Sequence, residues 1–362
     1  MSWTQKTLGE IVNLKRGFDL PSSNRVDGPY PVFSSSGQTG THSEAAVKGP
    51  CVITGRYGTI GQVFYSDAAC WPLNTSLYST EFKGNDPKYV YYLLKTLPWR
   101  DYLTASAVPG INRNHVHLCP VCVPDYETQT AISGVLGLLD NKIELNTKLN
   151  GYLAEIADAL FTDAFGNLED NAVLSDIAKI TMGQSPAGTS YNEEGVGTVF
   201  YQGRGEFGWR YPTQRLFTTE PKRMAKSGDV LMSVRAPVGD LNLAYEDCCI
   251  GRGLVAISCD YPSYCLYLMR SLGKKLDAYN GEGTVFGSIS GKALKGIGIG
   301  LPGNDDIAAF EAMVAPIDAQ IRCNETESRI LSQLRDALLP KLMSGEIGVS
   351  KVDLTRLNSH LA

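Results

Sequence analysis

His115, His117, Cys119 and Cys122 stand within eight residues, HVHLCPVC, and imidazole and thiolate are the side chains that hold zinc. Alternation along a strand puts His115, His117 and Cys119 on one face and Cys122 on the other. No second C-x-x-C completes a tetrahedral set, so the segment reads as a buried strand and not as a metal site. The vicinal Cys248 and Cys249 read as packing residues. GSISGKA, from Gly287 to Ala293, approaches a phosphate-binding loop but has the wrong spacing and no hydroxyl after its lysine. The chain has no G-x-S-x-G elbow, no H-E-x-x-H, no Gly-rich fingerprint after a strand and before a helix, and no N-P-P-[FYW] or D-P-P-[FYW] segment. Neither a catalytic set nor a site for a bound cofactor is expected.

The elements around these residues follow from composition and pattern. A chain of 362 residues, 43% hydrophobic and 20% charged, can bury two or three ordinary cores. Its start lacks a charged region followed by an apolar one, and no apolar run approaches the ~18 residues of a membrane span, so a cytoplasmic protein without membrane contact is expected. Nine scattered cysteines, an odd number, do not make a disulfide framework in a chain this long and read as reduced, mostly core residues.

Sliding the sequence over itself gives an offset of about 178 residues. Val52, Ile53, Ile60 and Gly61 fall on Val230, Leu231, Val238 and Gly239; Ile111 falls on Ile289; Leu139, Asp140, Asn146 and Leu160 fall on Ile317, Asp318, Asn324 and Leu338. Near the start the offset is about 166, where Leu8, Ile11 and Gly17 match Leu174, Ile177 and Gly183. The second copy therefore carries about twelve added residues, expected around GTVFYQGRGEFGWRYPTQ. Each copy opens with a Gly- and Pro-punctuated β-rich domain, 1–125 and 171–304, interrupted by one short helix, KYVYYLLKTL or SYCLYLMRSL. Each closes with a helical segment, 126–170 and 305–345, with a tail at 346–362. Ile132, Leu139, Asn146, Leu153 and Leu160 recur in steps of seven, as do Phe310, Ile317, Asn324, Leu331 and Leu338, the spacing of a coiled-coil seam. Asn146 and Asn324 read as register-setting residues in that seam, with a functional role the alternative. Pro316 should kink the second helix or mark its start.

Net charge divides the same way: +2 for 1–125 and +2 for 171–304, against −6 for 126–170 and −3 for 305–362. An acidic chain is a poor first candidate for nucleic acid, but the β-rich domains remain free to face an anion.

The D-V-L-x-S-x-R-x-x-V-G core, GRGEFGWR, IGRGLVAI and the closing RDALLPKLMSGEI, on a duplicated β-domain-plus-helix plan, resemble the specificity subunits of type I restriction-modification enzymes. The resemblance covers essentially the whole chain. It implies an α+β fold of two β-rich target recognition domains in pseudo-twofold repeat, joined by two long helices forming an antiparallel coiled coil. It further implies a non-catalytic subunit that reads a bipartite double-stranded DNA target, one half per domain, and docks two methyltransferase subunits and the restriction (motor) subunits. S-adenosylmethionine, Mg and ATP are then expected on those partners only. A helix of ~34 residues spans ~50 Å, against ~34 Å for one DNA turn, so half-sites one to one and a half turns apart are expected. A protein-interaction scaffold without a DNA role is the main alternative, and a nucleic-acid-modifying enzyme with an unrecognised site the second.

Arg reads guanine, Asn and Gln read adenine, and Ser or Thr serve several edges. In copy one this selects Ser34, Ser35, Ser36, Gln38, Arg56, Tyr57, Asn112, Arg113 and Asn114; in copy two, Gln202, Arg204, Arg210, Arg235, Ser288, Ser290 and Lys292. Arg56 and Arg235 are expected at matching places beside one Gly turn, in phosphate or structural roles.

Overall fold

The computed structural model describes residues 3–104, 109–280 and 287–349. Residues 350–362 of the expected tail lie outside them. The chain divides into two compact units, residues 1–146 with 326–362, and residues 147–325. Each combines one β-rich domain with part of two 40-residue helices, Tyr126–Phe165 and Asn304–Met343.

In the first unit, Thr4–Thr7 pairs antiparallel with Pro120–Val123 and so ties the two ends of the β-rich domain together. A four-stranded antiparallel sheet follows in the order Asn13–Arg16, Ser76–Glu81, Cys51–Gly55, Val63–Ser66. Every residue of CVITG in that sheet is buried, which explains an apolar run where a half-exposed strand would alternate. A second sheet orders Gly37–His42, Tyr30–Ser34 and Trp71–Pro72, the last two parallel. The short helix is Pro87–Lys95, as the periodicity predicts. Pro87 opens it, Asp86 caps it by accepting from the Tyr89 N–H at 2.6 Å, and Tyr89, Val90, Tyr92, Leu93 and Leu94 are buried.

The second unit repeats this plan. Ala172–Val173 pairs with Gly298–Ile299. The four-stranded sheet runs Lys179–Met182, Leu254–Ser258, Val230–Ser233, Leu241–Leu243, and the short helix is Pro262–Ser271. The second sheet grows to five strands, Tyr191–Asn192, Phe217–Thr218, Thr198–Tyr201, Cys248–Ile250 and Met224–Ala225, with the third and fourth parallel. The Met224–Ala225 pairing with Cys248 and Cys249 matches the bridge between Val47 and Cys70 in the first unit. Most of the added residues of copy two therefore fall within 202–224, against 34–46 in copy one.

Gly61 and Gly239 match in conformation as well as in sequence, with φ of +89° and +99°, where a side chain is disfavoured. The two DAL helix ends also correspond. Ala157 and Phe161 enter the core of the second unit, while Leu342 and Met343 enter that of the first.

Three expectations are corrected. His115 lies in a one-turn helix, Arg113–Val116, and His117 follows it in a turn; only Pro120–Val123 of that segment is a strand. Asn112 caps the turn by accepting from the Asn114 N–H at 3.0 Å, a local preference that overrides strand alternation. Pro316 does not start the second long helix, which runs through it from Asn304. Pro316 and Ala312 are both exposed, so the carbonyl that loses its N–H partner faces water. The seven-residue series holds at Ile132, Leu139 and Asn146 but drifts at Leu153 and Leu160, which are half-buried while Ala157 and Phe161 take the interior. Positions seven apart rotate ~20° per step on a straight helix, and burial follows the helix.

Side-chain pairs join the two long helices within each unit. In the first, Asn146 donates to Glu327 Oε2 at 2.7 Å and to Ser328 Oγ at 3.2 Å, and Arg335 donates to Asp140 Oδ1 at 2.7 Å. In the second, Asn324 donates to Asn150 Oδ1 at 2.8 Å and accepts from Gln320 Nε2 at 2.7 Å. Asn146, Asn150 and Asn324 are all buried, so these bonds offset the cost of carrying amides into an apolar interior. Among the described residues no helix is long and apolar enough to cross a membrane.

Candidate nucleic-acid interface

Each unit carries a cleft at the same end of the first three strands of its four-stranded sheet. In the first unit it measures ≈ 640 Å³ and brings together five residues expected from sequence, Arg56, Tyr57, Asn112, Arg113 and Asn114, with two that were not, Lys15 and Arg16. The backbone explains the meeting. The Ile111 N–H donates to Arg56 O at 2.9 Å, and Tyr57 bridges Gly110, which docks the 110–114 segment on the turn after Cys51–Gly55. Among the described residues, Lys15, Arg16, Arg56 and Arg113 line this cleft and no carboxylate does. The Arg56 guanidinium lies 4.6 Å from the Tyr57 ring centre, a cation–π contact. Arg16 pairs with Asp19 at 3.3 Å, but both side chains are exposed and the pair is weak.

The second cleft, ≈ 380 Å³, brings together Gln202, Arg204 and Arg235 with the unforeseen Ser185 and Arg252. Arg204 pairs with Asp240. The buried Glu206 is turned to Arg215, which donates to it at 3.0 Å.

The other expected residues lie elsewhere. Ser34, Ser36 and Gln38 occupy the hairpin of the second sheet in the first unit, where the Ser34 and Ser36 hydroxyls are 2.9 Å apart. Ser35 is buried against Gly55 and Gly58. Ser288 is exposed and bridges Arg235 through the backbone. Ser290 caps the short helix Gly291–Lys295, accepting from the Ala293 N–H at 3.2 Å, and Lys292 is exposed on that helix.

Two readings are overturned. Arg210 is 5% exposed and its guanidinium is spent inside the second unit, on Asp318 and on the Tyr267 hydroxyl at 3.2 Å. Burial works against its charge, but the Asp318 carboxylate and Tyr267 outweigh burial and hold it protonated. Residue type suggested a base reader because nothing local reveals a carboxylate 108 residues away. Arg56 and Arg235 are not matched. Ile111 N–H to Arg56 O corresponds to Ile289 N–H to Val234 O, and the bridge from Tyr57 to Gly110 corresponds to that from Arg235 to Ser288. Arg235 thus stands where copy one has Tyr57.

His117, one of the would-be zinc ligands, accepts the Leu14 N–H at Nε2 over 3.0 Å. Burial, with Arg113 and Lys83 nearby, depresses its pKa. Among the described residues no three of His, Cys, Asp and Glu converge on a metal-holding site. Six of the nine cysteines are buried and all nine are free; Cys122 and Cys323 are exposed.

The family model described as the type I restriction modification DNA specificity domain matches residues 1–154. The protein of Methanocaldococcus jannaschii named as the MjaX type I restriction enzyme specificity subunit is 31% identical over 293 residues, 73% of this chain and 69% of that one. The MjaIX specificity subunit of the same organism is 24% identical over 84% of this chain and 79% of its own length. The crystal structure of a type I restriction-modification system S subunit from M. genitalium covers 94% of this chain and 96% of that one, with a TM-score of 0.64 at 18% identity, and so shares its fold. This chain belongs to the specificity subunits of type I restriction-modification enzymes.

Proposed function

We propose that each β-rich domain reads one half of a bipartite DNA target at its cleft. The observation that carries this is the pairing of the clefts: one backbone framework, duplicated, presents a cation-rich set with Asn112 and Asn114 in one unit and a set with Gln202, Arg204 and Arg235 in the other. A common frame suits a near-symmetric phosphate backbone, and unlike side chains suit unlike base edges. Ser34, Ser36, Gln38, Ser288, Ser290 and Lys292, outside the clefts, serve as further contacts in this reading. The two long helices form an antiparallel coiled coil that sets the spacer, with Asn146 and Asn324 fixing register.

The chain itself catalyses nothing and carries no cofactor in this scheme. Two methyltransferase subunits dock on it, with restriction subunits joining them, and S-adenosylmethionine, Mg and ATP stay on those partners. Leu149, Tyr152 and Ile156, spaced along one face of an acidic helix and 40–64% exposed, support a helix-docking surface in the second unit.

Sequencing methylated adenines in a host expressing this chain with its partners tests the reading. A split target with a fixed spacer is expected, and a mass of the complex with two methyltransferase subunits per chain. A continuous target, or one partner per chain, refutes it. Removing one matched heptad from both helices should shorten the spacer by ~10 Å of helix, or ~3 base pairs.

A further inference from the structure

Beside each cleft lies a turn, and the two turns share four matching backbone hydrogen bonds. In the second unit the turn is Ile250-Gly251-Arg252-Gly253-Leu254. The Gly251 N–H donates to Tyr201 O at 2.8 Å and the Leu254 N–H to Gly251 O at 3.0 Å; Ile250 O accepts from Gln184 N–H at 2.9 Å, and Gly253 O from Val234 N–H at 3.0 Å. In the first unit the turn is Pro72-Leu73-Asn74-Thr75-Ser76. The Leu73 N–H donates to Phe33 O at 2.7 Å and the Ser76 N–H to Leu73 O at 2.9 Å; Pro72 O accepts from Phe18 N–H at 2.8 Å, and Thr75 O from Arg56 N–H at 2.9 Å. Each turn therefore ties together three segments, of which two bear cleft residues in the first unit and all three in the second.

The residue at the apex differs while the frame does not: Asn74 in copy one, Arg252 in copy two. Asn74 is half-buried and spends its amide on Asp19. Arg252 is exposed, lines the cleft, and its side chain makes no ion pair or hydrogen bond among the described residues, whereas the neighbouring Arg204 is held by Asp240. Its backbone is fixed by further bonds, Arg252 N–H to Ser185 Oγ at 3.3 Å and Gly253 N–H to Gln202 O at 3.3 Å. Bidentate recognition needs a guanidinium launched from a rigid backbone, since an error of about 1 Å breaks the paired hydrogen bonds.

We propose that Arg252 is a specificity-determining residue, reading a guanine edge in the half-site of the second domain. This rests on the proposed DNA-reading function and adds a residue to it. The guanidinium would donate to guanine O6 and N7, which a lysine ammonium cannot match as a flat fork.

The test compares Arg252→Ala and Arg252→Lys with the unaltered chain, each co-expressed with its methyltransferase partners, by sequencing methylated sites. Competition binding then uses duplexes substituted at each base pair of the second half-site. Both variants should lose about 5- to 150-fold of discrimination at one G·C position and keep the first half-site intact. An Arg252→Lys complex that keeps full discrimination marks a phosphate contact and overturns the proposal. So does an Arg252→Ala complex that weakens all duplexes equally with a shallower salt dependence, or one with unchanged targets. Thermal melting of both variants should match the unaltered chain, because the turn is held by backbone bonds; a variant that unfolds early assigns Arg252 to the frame and overturns its reading role. If the unaltered chain yields no split target, the functional reading falls together with this residue.

Discussion

Replacing Arg210 by methionine tests whether that arginine supports the second unit or reads DNA. Its side chain is 5% exposed and that of Asp318 15%. Truncating one member of a buried pair leaves the other charge uncompensated, a cost of ~3–5 kcal/mol. Here Asp318 keeps the Tyr267 hydroxyl, which donates at 2.9 Å, and retains some water contact, so the lower end, about 3 kcal/mol, applies. At a urea dependence of about 2 kcal/mol per molar, the unfolding midpoint of the second unit should fall by about 1.5 M. Urea titration followed by circular dichroism measures this. Adding Asp318→Leu to Arg210→Met should recover most of the loss, since an apolar replacement of both partners leaves no stranded charge. Unchanged stability in Arg210→Met, combined with altered DNA targets, would refute the structural role and return Arg210 to the reading set.

Further outcomes follow from the same geometry. In Gly183→Ala the new Cβ would sit 2.1 Å from Gly251 O, and in Gly17→Ala 2.3 Å from Leu73 O; both neighbours are backbone, so each variant should lose about 1–3 kcal/mol. Gly134→Ala, on an exposed helical face with nothing within 4 Å, should gain about 0.5–1 kcal/mol, and thermal melting ranks the three. Because the folded pKa of His117 is depressed, the unfolded chain takes up its proton first as pH falls. Its contribution to stability is complete above the ordinary histidine pKa and is lost as pH drops through the folded value. Melting the His117→Gln variant between pH 7.5 and pH 5 should therefore show a flatter pH dependence than the unaltered chain, and an equally steep one would refute the assignment.

Local pattern was enough for the features that repeat along the chain. The offset of Val52 to Val230, the short helices at Pro87–Lys95 and Pro262–Ser271, and the two long helices were legible because periodicity and caps are properties of neighbouring residues. The closing RDALLPKLMSGEI, with the shared core around DVLMSVRAPVGD, already pointed to the family. The clefts were legible only in part: Arg56, Tyr57, Asn112, Arg113 and Asn114 do converge, while Lys15, Arg16, Ser185 and Arg252 join them from segments that no base-edge rule distinguishes. Tertiary structure alone decided that Arg210 is internal and that Arg252 crowns a turn shared by both copies, whereas the match of Arg235 to Tyr57 and not to Arg56 already follows from the offset of about 178 residues. Helical period is set within a few residues, but the partner of a charged or hydrogen-bonding side chain is set by which distant segment folds against it. Arg210 finds Asp318 only after 108 residues of intervening chain have packed.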